Sequence, residues 1–154
     1  MIKPTFTYLV FILLLSSFPL SSQNQFTIWA EEFDYNGLPD PAKWNMEIGG
    51  SGWGNNESQY YTGNLANAQV ANGVLTITAK EESIGGNSYT SARITTKDKF
   101  EFQYGKIEIR AKLPLGKGLW PAFWMLGSNI DSVGWPKSGE IDILEYVGKE
   151  PEYI

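Results

Sequence analysis

Cysteine and histidine are both absent from the 154-residue sequence. Without cysteine the chain cannot be a small disulfide scaffold, and its N-terminus cannot be a lipoprotein signal, which needs a cysteine to carry the lipid. Stability must therefore come from a packed core.

Positive charge is scarce, because 12 Lys and Arg residues oppose 17 Asp and Glu, and the formal net charge at pH 7 is -5. A negative surface repels phosphate groups and other anions. The balance argues against nucleic acid as a partner and weakly against polyanionic substrates.

Long apolar runs are missing, because the longest, residues 8–15, has about half the length that a membrane-spanning helix needs. It follows Lys3 and precedes small and polar residues up to position 23, which is the order of a secretory signal peptide. We predict a signal peptide at residues 1–23, secretion to an extracellular or periplasmic space, and no membrane association afterwards. An uncleaved membrane anchor is the alternative.

Long helical periodicity is missing as well. Short alternating or apolar runs are separated instead by Gly, Asn, Asp and Pro, which is typical of strands and turns. The pattern predicts an all-β chain of antiparallel sheets in one domain, either a sandwich or a jelly roll. The predicted strands are residues 26–33, 44–48, 69–71, 74–79, 91–96, 102–113, 119–126 and 140–146.

Two of these regions carry a specific signal. Asn72 and Gly73 accept a positive φ at both central positions of a two-residue turn, so they predict a hairpin. Residues 106–113 alternate charged and apolar side chains, so one face of this strand should be buried. The apolar members are Ile107, Ile109, Ala111 and Leu113.

Sandwiches of this kind commonly run to about 200–250 residues, whereas 131 of the 154 residues remain once residues 1–23 are removed. We therefore expect residues 24–154 to be the N-terminal part of a larger domain. A small complete sandwich is the alternative.

Three carboxylates lie close together in "GEIDILEYVG": Glu140, Asp142 and Glu145. In a regular strand Glu145 would face away from the other two. A β-bulge at residues 143 and 144 would turn Glu145 to their face, with the Cα atoms of Glu140 and Glu145 roughly 13 Å apart. Their carboxyl groups could then approach to about 5–5.5 Å, the separation that retaining glycosidases use.

A retaining reaction needs two such carboxylates. One attacks the anomeric carbon, while the other donates a proton to the leaving oxygen and later activates water. A solvated acidic face and a calcium site are the alternatives for this triplet.

Six tryptophans lie between positions 29 and 135. In a strand over residues 119–126, Trp120, Ala122 and Trp124 share a face, with the two indoles about 13 Å apart. Such a row can stack sugar rings on its aromatic faces. Two tryptophans of the core are the alternative.

These segments together resemble a known family. "GEIDILE" matches the E-x-D-x-x-E signature of glycoside hydrolase family 16, and "GWGNNESQYYT", "SARITTKDKFEFQYGKIEIRAKLP" and "GLWPAFWMLG" follow the order seen in its laminarinase branch. The resemblance implies that residues 24–154 are part of a glycoside hydrolase catalytic domain. The implied fold is a β-jelly-roll sandwich of two antiparallel sheets, with a sugar-binding cleft on its concave face. It also implies retaining hydrolysis of β-1,3-glucan or mixed β-1,3/1,4-glucan.

Residue roles follow from the same resemblance. It implies Glu140 as nucleophile, Asp142 as assisting acid and Glu145 as acid/base. The implied sugar-contacting residues are Trp120, Trp124, Arg93, Asn56, Glu57 and Trp135. A structural ion pair is the alternative role for Arg93, and loop stabilisation is the alternative for Asn56 and Glu57.

The resemblance further implies a structural calcium, for which Glu32 and Gly73 are the matching positions. We expect no cofactor in catalysis and a monomeric protein. The lichenase branch has the shorter spacing E-x-D-x-E, so the extra residue here favours the laminarinase branch. Hydrolysis of an algal galactan, a non-catalytic glucan-binding module and a calcium-stabilised structural sandwich stay open as alternatives.

Overall fold

The computed structural model describes residues 26–148. The chain divides into two compact units, Met1–Glu31 and Glu32–Ile154. Residues 26–31, the described part of the first unit, contain no helix or strand, so the strand predicted over residues 26–33 does not form. The predicted signal peptide lies outside the described residues. Within residues 26–148, no helix has the length and apolarity to cross a membrane.

Short strands dominate the second unit, and the all-β prediction is confirmed. The strands are β1 (Asn45–Met46), β2 (Gln59–Tyr61), β3 (Ala68–Ala71), β4 (Val74–Ile77), β5 (Lys80–Ile84), β6 (Asn87–Ser91), β7 (Ile94–Thr95), β8 (Ala122–Leu126) and β9 (Glu140–Glu145). A single helical turn, α1 (Ile130–Val133), lies between β8 and β9.

Among residues 26–148, strand pairing is antiparallel with one exception. The pairs β1–β7, β3–β4, β5–β6 and β8–β9 are antiparallel, whereas β2 runs parallel to β6. The prediction of purely antiparallel sheets is wrong at this pair. A parallel pair needs a long crossover, and the chain between β2 and β6 supplies one, because it contains β3, β4 and β5.

The predicted hairpin at Asn72 and Gly73 is confirmed. β3 and β4 pair from Ala71 opposite Val74, which leaves a two-residue turn. The φ angles of Asn72 and Gly73 are 54° and 73°, the left-handed region that this turn demands and that Asn and Gly tolerate best.

A largely buried polar cluster ties four segments of the second unit together. Asn67, which is fully buried, accepts a hydrogen bond from Thr62 Oγ1 at 2.5 Å. Its Nδ2 donates to the Thr78 carbonyl at 3.0 Å and to Thr90 Oγ1 at 2.9 Å. The Thr90 hydroxyl donates to Glu82 Oε1 at 2.6 Å. We call Thr62, Asn67, Glu82 and Thr90 the Asn67 cluster.

Residues 101–118 contain no strand, so the strand predicted over residues 102–113 does not form. Strands need a ladder of hydrogen bonds to a neighbour, and no backbone hydrogen bond joins residues 101–115 to the rest of the described chain. The predicted burial of one face is wrong too, because Ile107, Ile109 and Ala111 are exposed. Ile107, Ile109, Ala111 and Leu113 line a cavity of about 520 Å³ with Phe123, Ile143 and Leu144.

Candidate active site

The pairing of β8 with β9 contains an irregularity at one residue. Phe123 pairs with Leu144, and the next residue of β8, Trp124, pairs with Asp142. Ile143 is therefore an extra residue without a partner on β8, which defines a β-bulge. The bulge predicted at residues 143 and 144 is confirmed.

The bulge brings three carboxylates to one face of the sheet. Glu140, Asp142 and Glu145 pair with Leu126, Trp124 and Ala122, which are alternate residues of β8. Alternate residues of a strand point the same way, and directly paired residues share a face. We call Glu140, Asp142 and Glu145 the carboxylate row. All three members are exposed to solvent.

Each outer carboxylate of the row accepts a hydrogen bond from an indole. Trp120 Nε1 donates to Glu145 Oε1 at 2.9 Å, and Trp135 Nε1 donates to Glu140 Oε2 at 2.8 Å. Trp120 is 47% exposed and Trp135 is 70% exposed, which excludes a core role for Trp120. Both ends of the row are thus bordered by an accessible aromatic side chain.

Different parts of the chain deliver these two indoles. Trp120 precedes β8, where the ladder continues through the hydrogen bonds from Tyr146 N to the Pro121 carbonyl and from Gly148 N to the Leu119 carbonyl. Trp135 lies after α1, in the connection that ends at β9. Turn hydrogen bonds close this connection, from Ser138 N to the Gly134 carbonyl and from Gly139 N to the Pro136 carbonyl. Local pairing at each end therefore sets where each indole lies.

The central part of the site contains Trp124, opposite Asp142, and Arg93. The Arg93 guanidinium lies 4.8 Å from the ring centroid of Trp124 and 4.8 Å from that of Trp53. Trp53 was not predicted as a site residue. Its place in "GWGNNESQYYT", one of the segments shared with the family, was the only signal in the sequence. That segment does not indicate a contact with Arg93, which lies 40 positions later in the chain.

Glu57 and Asn56 shape the loop formed by residues 49–58. Glu57 Oε2 accepts hydrogen bonds from Tyr61 Oη at 2.5 Å and from Gln59 Nε2 at 2.7 Å. Burial raises the pKa of Tyr61 well above its usual value, and the Glu57 carboxylate raises it further. Asn56 is exposed and has a φ of 56°. For Glu57 these contacts favour the loop-stabilising alternative.

The two predicted calcium ligands are both exposed, Glu32 in an irregular segment and Gly73 in the β3–β4 turn. In the part of the chain that the structure describes, no group of three or more His, Cys, Asp or Glu residues is placed to hold a metal ion. Calcium takes about six to eight oxygen ligands. Two oxygen donors fall short of that number, and the calcium site stays a prediction.

The site has the parts that carboxylate-based catalysis needs. Two carboxylates flank a third on one open face, and an indole N–H orients each outer one. Such a set can supply a nucleophile and a proton donor without a metal.

Comparison with known proteins identifies similar chains. A family model described as "XgeA-like, catalytic GH16 domain" matches residues 33–153. The sequence is 52% identical to a beta-glucanase of Rhodothermus marinus over 130 residues, which are 82% of this chain and 46% of that protein. It is 50% identical to a glucan endo-1,3-beta-glucosidase of Cryptopygus antarcticus over 132 residues, 82% of this chain and 47% of that protein.

A solved structure shows the same similarity in three dimensions. The laminarinase from Rhodothermus marinus matches with a TM-score of 0.77 and 56% sequence identity, over 80% of this chain and 51% of that one. The similarity confirms the predicted jelly-roll class. The chain spans about half the length of the curated relatives it matches. By its sequence, its fold and the matched catalytic domain, the chain belongs to glycoside hydrolase family 16.

Proposed function

We propose that the full-length protein is a secreted endo-glucanase that hydrolyses β-1,3-glucan or mixed β-1,3/1,4-glucan with retention of configuration. The observation that carries the proposal is the bulge at Ile143, which brings all three members of the carboxylate row to one face in a family 16 chain. Similarity to proteins named beta-glucanase, glucan endo-1,3-beta-glucosidase and laminarinase supports β-glucan as the substrate class.

In this mechanism Glu140 attacks the anomeric carbon and forms a covalent glycosyl-enzyme. Glu145 protonates the leaving oxygen and then takes a proton from the water that hydrolyses the intermediate. The position of Asp142 between them supports a role in orienting the nucleophile. The Trp135 indole bonded to Glu140 and the Trp120 indole bonded to Glu145 hold the two carboxylates in place.

Trp120 and Trp135 also supply sugar-stacking surfaces, because both indoles are exposed at the ends of the carboxylate row.

The reaction requires no cofactor, since both reacting groups are side chains. We further propose that the protein acts as a monomer, free of the membrane once its signal peptide is removed. A structural calcium at Glu32 and Gly73 is tested by a loss of thermal stability on addition of a chelator.

The test of this proposal is hydrolysis of laminarin and mixed-linkage glucan by the full-length protein, with Glu140→Gln and Glu145→Gln alongside. Each substitution should lower turnover by about a thousandfold or more, because it removes a reacting carboxylate. Glu81→Gln is the matched control, since Glu81 is an exposed carboxylate on β5, and it should keep full activity.

Near wild-type turnover in either glutamine variant would show that the assigned roles are wrong. Hydrolysis of an algal galactan but not of laminarin would replace the substrate class. Binding of laminarin without hydrolysis would identify a non-catalytic glucan-binding module.

A further inference from the structure

Arg93 lies between two tryptophans that come from different parts of the fold. Its guanidinium carbon is equally distant, at 4.8 Å, from the ring centroids of Trp53 and Trp124. Any cation at this distance is attracted to an aromatic face. A guanidinium is planar and can also lie flat on the ring, whereas an ammonium group cannot. We call these side chains the Trp53–Arg93–Trp124 stack.

The loop formed by residues 49–58 fixes the outer end of the stack. Trp53 Nε1 donates to the Gly49 carbonyl at 3.1 Å. The Trp53 ring meets Tyr61 edge-on, with centroids 5.5 Å apart and an angle of 63° between the planes. Tyr61 in turn donates its hydroxyl to Glu57. Trp53 is thus held at its nitrogen and at its ring edge, and it offers a fixed face to Arg93.

The inner end of the stack lies beside the carboxylate row. Trp124 pairs with Asp142, the central member of the row. Arg93 lies over the Trp124 ring, so a change at Arg93 removes a contact made by an indole next to the carboxylate row. The Nε atom of Arg93 is buried without a hydrogen-bond partner, so no hydrogen bond at this atom anchors the side chain between the rings.

We propose that Arg93 is a positioning residue, which fixes the orientation of Trp124 beside the carboxylate row and acts on sugar binding through that indole. The proposal rests on the proposed glucanase function. It differs from the sequence-based expectation that Arg93 contacts the sugar and from the alternative of a structural ion pair. The loop formed by residues 49–58 thereby becomes part of the substrate-binding machinery.

The first test is Arg93→Lys in the full-length protein, which keeps the charge and removes the planar group. KM for laminarin should rise about tenfold while kcat stays within about threefold, because the orientation of Trp124 changes and the carboxylates do not. The near-ultraviolet circular dichroism of the indoles should weaken in parallel. Arg110→Lys is the matched control, since Arg110 is exposed, and it should change neither quantity.

The second test uses Trp53, the fixed end of the stack. Trp53→Phe keeps an aromatic face and should raise KM less than Trp53→Ala. Trp53→Ala combined with Arg93→Lys should raise KM no more than the larger single effect, because both changes disrupt the same stack.

Three results would overturn the proposal: an unchanged KM in Arg93→Lys, a hundredfold fall in kcat at constant KM, or fully additive effects of the two substitutions. Absence of glucan hydrolysis by the wild-type protein would instead reject the proposed function. The stack would then be tested by the dichroism alone, where an unchanged indole signal in Arg93→Lys contradicts it and a weakened one supports it.

Discussion

The Asn67 cluster and the carboxylate row are both sets of polar side chains, but they differ in burial. Asn67 and Thr90 are fully buried, and hydrogen bonds within the protein occupy their polar groups. The members of the carboxylate row are exposed, and each outer one accepts one indole N–H.

This difference separates stability from reactivity. When a substitution removes one partner of a buried hydrogen bond, the other partner stays unsatisfied in the protein interior. The free energy of unfolding is lowered as a result. An exposed carboxylate is solvated in any case, so its removal costs little stability and removes a reactive group. Substitutions in the Asn67 cluster should therefore lower stability, and substitutions in the carboxylate row should lower activity.

The largest effect is expected for Glu145→Ala in the full-length protein. Turnover on laminarin should fall about a thousandfold or more, with the melting temperature within about 2 °C of wild type. On an aryl β-glucan oligosaccharide, whose phenolate leaves without a proton donor, added azide should restore part of the turnover, because a small anion can then attack the glycosyl-enzyme in place of base-activated water. Near wild-type turnover without azide, or a large fall in melting temperature, would break the distinction between the two clusters.

Asn67→Ala should have the opposite signature. It leaves Thr62, Thr90 and the Thr78 carbonyl each without one hydrogen-bond partner, so the free energy of unfolding should fall by about 2–4 kcal/mol. The kcat of the folded protein should stay within about twofold. Asn64→Ala, at an exposed position three residues earlier, is the control and should cost less than about 0.5 kcal/mol in urea unfolding.

Trp120→Phe and Trp135→Phe sharpen the comparison within the carboxylate row. Each keeps a ring and removes the N–H that orients one glutamate, so kcat should fall about tenfold, the equivalent of one hydrogen bond to a charged group at a solvated site. Steady-state kinetics on laminarin measures the effect. Tyr104→Phe, at a highly exposed position, should leave kcat unchanged. An unchanged kcat in both tryptophan variants would show that the indole N–H groups do not orient the glutamates.

The smallest expected effect concerns pH. The Thr90 hydroxyl and then Lys80 hold the pKa of the Glu82 carboxyl below its usual value. Because the folded pKa is lower than the unfolded one, this stabilisation is complete above the unfolded pKa and is lost as the pH falls through the folded pKa. Melting temperatures should therefore fall less steeply between about pH 5 and pH 3 in Glu82→Gln than in wild type. Glu81→Gln should keep the wild-type slope.

The sequence predicted the features that depend on local chemistry. The hairpin at Asn72 and Gly73 follows from the φ angles that these residues tolerate, and the bulge near Ile143 follows from the need to align three carboxylates. Both predictions are confirmed because the relevant partners lie within one hairpin or one strand pair.

Features that depend on distant partners were predicted less well. The strand expected over residues 102–113 has the right alternation but no hydrogen-bonded neighbour among the described residues. The parallel pairing of β2 with β6 depends on how three intervening strands fold back. Trp53 and Arg93 meet although 40 residues separate them, and no local pattern in the sequence indicates that contact.

The bulge at Ile143 is what places Glu145 beside Glu140 and Asp142, and two single deletions in β9 test it most directly. Deleting Ile143 should leave a regular strand in which the three carboxylates still alternate onto one face. Deleting Ile141 should turn Glu140 to the opposite face. Both isoleucines are exposed, so neither deletion removes a buried core side chain.

The measurement is laminarin hydrolysis by the two full-length deletion variants, after circular dichroism has established that both are folded. The Ile143 deletion should keep about a tenth or more of the wild-type activity, and the Ile141 deletion should lose about a thousandfold. Equal inactivation of two folded variants, or higher activity in the Ile141 deletion, would contradict the role of the bulge.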